Sequence, residues 1–428
     1  MSDNYKFSTL ALHAGQNPDP TTGACATPIY QTTAYKFNNT EHAANLFNLK
    51  EFGNIYSRIM NPTTGVLEER MAALEGGVAA LAVSSGHAAQ FTVFHMLLEP
   101  GDEILASNKL YGGSITQMGT SFKKFGWKTT FVDPTPENFK AVLNDKVKAI
   151  FVESLANPGG IVTDLAGIAK VAKEAGIVFV VDNTLATPYL CRPIEHGADI
   201  VVHSLTKFLG GHGNSMGGVI VDSGKFDWMK DDKYPTLSQP CTSYHGMVLG
   251  DVFGPAMGNI AFAIACRVLS LRDIGQCLSP QNSFYILNGI ETLPLRMQRH
   301  CDNALAVAKF LKTHDKISWV SYAGLSDNPY HSLQQKYMPK GAGAVMTVGL
   351  KGGYDAGVKM VESVKLFTHL ANIGDARSLI IHPASTTHRQ LDEAGQIAAG
   401  AGPDVIRLSI GIEDLDDIIA DLDQAMNS

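Results

Sequence analysis

The hydrophobic pattern of this chain changes character about halfway along. In the first half, short apolar runs alternate with segments of helical period. Val178-Phe-Val-Val181 is unbroken and rich in β-branched residues, which predicts a parallel strand buried on both faces. Ala79–Val83, Glu103–Ser107 and Lys148–Ser154 predict further strands, and Asp199–Ser204 delivers another. Between them, helical spacing covers Thr64–Leu74, a stretch from Ser84-Ser-Gly-His through Leu98, and Asp164–Ala175. Gly76-Gly77 and Pro100-Gly101 stop the first two. The alternation runs to about residue 221 and predicts an α/β fold with a mostly parallel, doubly wound sheet.

Beyond Gly224 the pattern breaks. Tyr234–Gly258 is loop-like, followed by helices predicted over Asn259–Leu271 and Pro280–Leu311, the latter with a kink near Pro294. Shorter strands and helices then alternate: Ala344–Leu350, Val358–Leu370, Ser378–His382, Val405–Ser409 and Asp414–Met426. This predicts a smaller α+β domain. The expected organisation is an arm over 1–62, a large domain over 63–280 and a small domain over 281–428. The arm shows little regular pattern apart from a short helix near Thr40–Leu49. Yet it carries Ile29, Tyr30, Tyr35, Phe37, Phe47 and Phe52, too apolar to float, so it is expected to pack on another subunit.

Candidate chemistry collects where the predicted strands end, the edge at which open α/β sheets bind ligands. Asp182 closes the Val178 run. Ser204 and Thr206 follow the Asp199 run, then Lys207 opens a glycine-rich loop through Gly218. Hydroxyls and glycine backbone suit a phosphate, and a lysine that attacks a carbonyl needs a partly desolvated site. Read alone, Lys207 is equally a surface lysine at a strand end. Asp182, 25 positions upstream (207 − 182), tips the balance, because pyridoxal phosphate needs a lysine and an acidic partner for its ring nitrogen. The Ser85-Gly86-His87 turn opens a helix whose free N–H groups face an anion, with the backbone N–H of His87 mattering more than its ring. Tyr111, after the Glu103 strand, sits where an aromatic ring stacks on a planar cofactor; alone it is a packing residue. Tyr56 and Arg58 by themselves form a packing pair.

Composition narrows the classes. Of 428 residues, 34 are Lys or Arg and 41 are Asp or Glu, so the formal charge is −7 and no basic field argues for nucleic acid or an anionic membrane. The six cysteines form no CxxC pair and have no metal-ligand spacing, as expected of reduced thiols. No apolar run spans a bilayer, and the first residues show no hydrophobic signal core; a cytoplasmic location is expected. The three-glycine dinucleotide fingerprint is absent, which disfavours a nicotinamide oxidoreductase. A non-catalytic scaffold is disfavoured by Lys207, Asp182 and Arg407 together.

Several short stretches then match one family in order: Tyr56-Ser-Arg58, Ser85-Gly86, Tyr111-Gly112, Glu153 with Asn157-Pro158, and Val181-Asp-Asn-Thr184. Ser204-Leu-Thr-Lys207, Gly211-His-Gly213, His382-Pro-Ala-Ser385 and Arg407-Leu-Ser-Ile-Gly411 complete the series. Across nearly its whole length the chain resembles the Cys/Met-metabolism family of pyridoxal-phosphate enzymes, which have the aspartate-aminotransferase type fold. Within it, Ser84-Ser-Gly-His-Ala-Ala89, the segment from Tyr244 to Asp273, Arg299-His-Cys-Asp-Asn-Ala304 and Ala371-Asn-Ile-Gly-Asp375 resemble the O-acetylhomoserine sulfhydrylase branch. Gly113, where methionine γ-lyases carry cysteine, agrees.

The resemblance implies Lys207 as the lysine that holds pyridoxal 5'-phosphate and Asp182 as the ring-nitrogen partner. It implies Tyr111 as the stacking residue, and Gly86, His87, Ser204 and Thr206 as phosphate ligands. Tyr56 and Arg58 would reach the neighbouring subunit's phosphate, while Arg407 with Asn157 and Asn372 would bind the substrate carboxylate. The implied reaction joins O-acetylhomoserine to sulfide or a small thiol, with Lys207 moving the α-proton and Tyr56 or Tyr111 assisting. A γ-lyase, a cystathionine γ-synthase or an O-succinylhomoserine sulfhydrylase would share every cofactor residue. A homotetramer, built as a dimer of dimers with shared active sites, is also implied.

Overall fold

The Val178–Val181 run lies in the middle of a seven-stranded sheet, and its surroundings explain why it carries no polar side chain. All four residues are fully buried. Phe179 and Val181 join the apolar layer on one face, Val178 and Val180 the layer on the other. Each such side chain contributes about 1.5–3 kcal/mol of transfer free energy.

The computed structural model describes residues 5–157, 160–390, 392–398 and 400–428. Its first sheet holds β1 (Ala79–Val83), β2 (Glu103–Ser107), β3 (Lys128–Val132), β4 (Val147–Glu153), β5 (Val178–Asp182), β6 (Ile200–Ser204) and β7 (Gly218–Asp222). Their spatial order is β1-β7-β6-β5-β4-β2-β3. Strands β3, β2, β4, β5 and β6 run parallel, and β7 lies antiparallel between β6 and β1. The mostly parallel α/β sheet expected from the sequence is therefore present. Strand β3 escaped the pattern reading because Lys-Thr-Thr-Phe-Val is half polar, as befits an edge strand whose residues beyond the exposed Lys128 are all half-buried.

A second sheet contains β8 (Ile317–Ser321), β9 (Val345–Leu350), β10 (Thr368–His369), β11 (Leu379–Ile381) and β12 (Val405–Ser409), in the order β10-β11-β12-β9-β8. Helices Leu293–Thr313 and Gly353–Ser363 pack against it.

Helix boundaries depart from expectation in instructive ways. The long Pro280–Leu311 prediction resolves into two helices, Pro280–Glu291 and Leu293–Thr313, which part at Thr292. Pro294 then falls in a first turn, where its missing N–H costs no intrahelical bond. The Asn259–Leu271 helix starts at Ala261, since Asn259 has φ +58°, and winds as a π-helical stretch over Cys266–Leu271. The Val358–Leu370 segment is a helix over Gly353–Ser363, followed by β10.

Phe7–His13, left irregular by the pattern reading, is a helix docked on its own chain. Its Ala11 is buried, and the fully buried Arg70 donates to the carbonyls of Ala14 (3.0 Å) and Leu12 (3.2 Å) and to Gln16 Oε1 (2.9 Å). Among the described residues no helix is long and apolar enough to cross a membrane.

Candidate active site

Three strand ends and one helix start enclose a cavity of about 280 Å³. Glu153 ends β4, Asp182 ends β5 and Ser204 ends β6, with Glu153 and Asp182 directly paired in register. The Gly86–Leu97 helix points its N-terminus at the same space, capped by Ser85, whose hydroxyl accepts from Ala88 N at 3.1 Å. A Cβ on Gly86 would lie 2.9 Å from Ser204 Cβ, so only glycine lets this helix start approach β6 so closely. His87 and Thr206 line the same end, and Thr206 Oγ1 accepts from Gly217 N at 3.1 Å.

Asp182 is fixed from two sides. Its Oδ1 accepts from Thr184 N at 2.9 Å and its Oδ2 from Gln90 Nε2 at 3.2 Å. Beside it, Glu153 accepts from the backbone N–H of Tyr111 (2.6 Å) and of Asn157 (3.1 Å), one on each oxygen. Burial, and then the neighbouring Asp182 carboxylate, push Glu153 up to about 8. With Glu153 raised in this way, the Asp182 carboxylate is the negative charge at this strand edge, and it favours a positive group placed before it. The Tyr111 ring faces this space, half exposed, with its centroid 5.9 Å from that of His87.

Lys207 is held by the loop that follows it. Arg296, almost fully buried, donates to the carbonyls of Phe208 (2.8 Å), Leu209 (3.3 Å) and Gly289 (2.7 Å). Gly211 has φ +74°, and a Cβ there would collide with that guanidinium at 2.2 Å, so both backbone angle and space require glycine. The Lys207 amine donates to Asn372 Oδ1 at 2.5 Å. Burial, and then Arg407, push it down to about 8. Arg407, from β12 of the second sheet, donates to Asn157 Oδ1 and to the carbonyl of Asn372, each at 3.4 Å. Burial holds its pKa below the usual arginine value. The cavity thus offers an anion-facing helix start at one end, the Asp182 carboxylate beside the Glu153 carboxyl group, a depressed lysine, and a guanidinium free to take a further acceptor.

Ten of the sequence candidates line this cavity: Gly86, His87, Tyr111, Asn157, Asp182, Ser204, Thr206, Lys207, Asn372 and Arg407. Two do not. The Arg58 guanidinium lies 5.4 Å over the ring of Tyr56 and donates to the carbonyl of Arg272, away from the cavity of its own chain. The pattern reading missed Gln90, Ser114 and Thr184, which also line the site. Gln90 had a signal, since it falls one helical turn after Gly86 and so shares the face of the anion-facing helix start. Pro158 of the Asn-Pro motif lies outside the described residues. Among the described residues, no cluster of His, Cys, Asp and Glu could hold a metal ion.

The chain is 52% identical to the O-acetyl-L-homoserine sulfhydrylase of Leptospira meyeri, over 100% of this chain and 98% of that one. It is 50% identical to the homocysteine synthase of Schizosaccharomyces pombe, over 99% of each. The crystal structure of metY from Campylobacter jejuni, which carries N'-pyridoxyl-lysine-5'-monophosphate, superposes with a TM-score of 0.95 at 42% identity, over 99% of this chain and 100% of that one. The sequence profile of the Cys/Met metabolism PLP-dependent enzymes matches residues 8–427, and the chain belongs to that family.

Proposed function

We propose that the protein replaces the γ-substituent of O-acetyl-L-homoserine. Sulfide, or a small thiol such as methanethiol, takes the place of acetate at the γ-carbon, giving L-homocysteine or L-methionine, a step of methionine biosynthesis. The observation that carries this reading is the convergence of Lys207, Asp182 and Arg407 on one cavity, in a chain 52% identical to an O-acetyl-L-homoserine sulfhydrylase over its full length.

Pyridoxal 5'-phosphate fits the residues present. The helix start at Gly86 and His87, with the Ser204 and Thr206 hydroxyls, suits its phosphate. Asp182, held by Thr184 N and Gln90, suits a protonated ring nitrogen, and Tyr111 suits the ring face. Bound there, the cofactor supplies an electron sink for negative charge developing next to the substrate amine. The remaining work falls to the protein. Lys207, depressed to about 8, changes protonation near neutral pH, as a group that takes and returns the α-proton must. Tyr111, or Tyr56 from the neighbour, assists proton transfer as acetate leaves. Arg407 grips the substrate carboxylate, flanked by Asn157 and Asn372, and so aims the α-carbon at Lys207.

Assembly belongs to the same reading. The part of the arm beyond the Phe7–His13 helix, which docks on its own chain, would pack on a second subunit and bring Tyr56 and Arg58 to that subunit's phosphate, with two such dimers forming a tetramer in the cytoplasm. Phe47 and Phe52 support this, being 58% and 60% exposed in the single chain.

Product analysis tests the reaction. O-acetylhomoserine with sulfide should give homocysteine and acetate far faster than O-succinylhomoserine with sulfide, and than cysteine or methionine alone give keto acid. Faster keto-acid release from methionine would replace this reading with a γ-lyase. Arg407→Lys tests the pose. A point charge cannot reproduce a bidentate fork, so KM for the amino acid should rise at least roughly tenfold, corresponding to about 1.5–3 kcal/mol. An unchanged KM would make Arg407 structural.

A further inference from the structure

Gln90 is polar and almost fully buried, between Ala89 and Phe91 of the Gly86–Leu97 helix. Its amide nitrogen donates to Asp182 Oδ2 (3.2 Å) and to Ser114 Oγ (3.0 Å). Its amide oxygen is buried without a partner. Turning the amide over would set that oxygen against the Asp182 carboxylate, so the acceptors dictate the orientation and the oxygen takes the unpaired place. An unpaired buried acceptor is costly. Packing alone gives no reason to keep one, because leucine or methionine would fill the same space without it.

We propose that Gln90 is a positioning residue for Asp182, and through it for the ring nitrogen of the cofactor. Asp182 has two carboxylate oxygens, and each meets one neutral donor: Thr184 N fixes Oδ1 and Gln90 fixes Oδ2. Neither donor carries charge, so the carboxylate keeps its negative charge for the ring while losing freedom to rotate. The other titratable group packed beside it, Glu153, has its two oxygens engaged by Tyr111 N and Asn157 N, so the donors that fix Asp182 are Thr184 N and Gln90.

The placement of Gln90 adds a second argument. It lies one turn beyond Gly86 on the same face of the Gly86–Leu97 helix. One rigid element therefore holds both the anion-facing N–H groups and the donor that fixes Asp182. The spacing between the two ends of the cofactor site is set by a single helix.

The inference rests on Asp182 meeting the ring nitrogen, and a double-mutant cycle separates the two claims. Gln90→Met and Gln90→Leu, alone and combined with Asp182→Asn, are stripped of cofactor and refilled with pyridoxal 5'-phosphate while its dissociation constant is read by fluorescence. Thermal midpoint, kcat and KM are measured alongside. Each Gln90 variant is expected to weaken cofactor binding about tenfold and to lower kcat similarly, with KM for the amino acid within about twofold. In the Asp182→Asn background the same change should cost much less, because the group through which Gln90 acts is gone. An equal loss in both backgrounds, or cofactor binding within twofold of the parent in either variant, would overturn the role of Gln90. An Asp182→Asn protein that binds cofactor normally would instead overturn the reading of Asp182.

Discussion

Lys207→Ala should give a folded protein that has lost turnover and the visible absorbance of lysine-bound cofactor together. Lys207 is the one lysine among the described residues that line the cavity, so no second amine stands ready to replace it. In the proposed reading its loss removes both the covalent tether and the group that moves the α-proton. The proton-transfer contribution alone predicts a fall on the order of 10²–10⁴-fold. The fold should survive because the charged amine is a burden to it: burial pushes Lys207 down to about 8, the mark of a group whose protonated form is disfavoured where it sits. Its one side-chain partner, Asn372, keeps access to the cavity. Circular dichroism and thermal melting report the fold, absorbance reports the tether, and product formation reports the chemistry. Turnover within tenfold of the parent would remove Lys207 from the mechanism.

The legibility of this site in the sequence followed a physical rule. Strand ends were readable because a strand buried on both faces shows an uninterrupted apolar run, and the first polar residue after it must stand at the ligand edge. Asp182 was found in that way, whereas Ser204 stands one residue after the polar His203 and was singled out as a hydroxyl leading into Thr206 and Lys207. Arg407 was harder, since it lies within β12 and not at the end of a run; only its resemblance to a family motif singled it out. Arg296 shows the limit. It acts on the Lys207 loop from 89 positions away (296 − 207), through carbonyl groups that carry no residue identity. Nothing in local pattern announces such a contact.

The buried network behind the sheet escaped for the same reason. His203 meets Glu75 at 2.6 Å, and Asn183 donates to the same Glu75 oxygen at 2.8 Å. These residues are next in sequence to Ser204 and Asp182, facing the opposite side of the strands. A period of two places them there once the register is known. Their partner on a helix over a hundred residues earlier is a tertiary fact. The Phe7–His13 helix was missed because it is short, lacks a capping side chain, and is held by Arg70 from a distance.

Arg58→Ala and Lys207→Ala should each be nearly inactive alone and regain activity when their subunits are mixed. The argument begins with where Arg58 sits. In its own chain it stacks on Tyr56 and reaches the carbonyl of Arg272, outside the cavity that holds the other candidates. Besides that carbonyl, the acidic neighbour of the charged Arg58 guanidinium is Asp273, which is already paired with Arg272, and the surrounding arm exposes Phe47 and Phe52. An anion in the neighbour's cavity would meet that charge, and the aromatic residues would be covered at the same interface. Losing one hydrogen bond from arginine to a phosphate costs about 1.5–3 kcal/mol, so Arg58→Ala alone should weaken cofactor binding and turnover at least roughly tenfold. In a mixed dimer, the subunit carrying Arg58→Ala keeps its own Lys207 and receives an intact Arg58 from its partner. One of the two sites is then whole and the other carries both lesions. Random reassembly of equal amounts makes half the dimers mixed, which sets recovery at about one quarter of parent activity for a symmetric pair. Subunit exchange is verified by differently tagged chains purified in tandem. If tandem-purified mixed dimers stay at the level of the single variants, Arg58 acts within its own chain and the shared site is refuted.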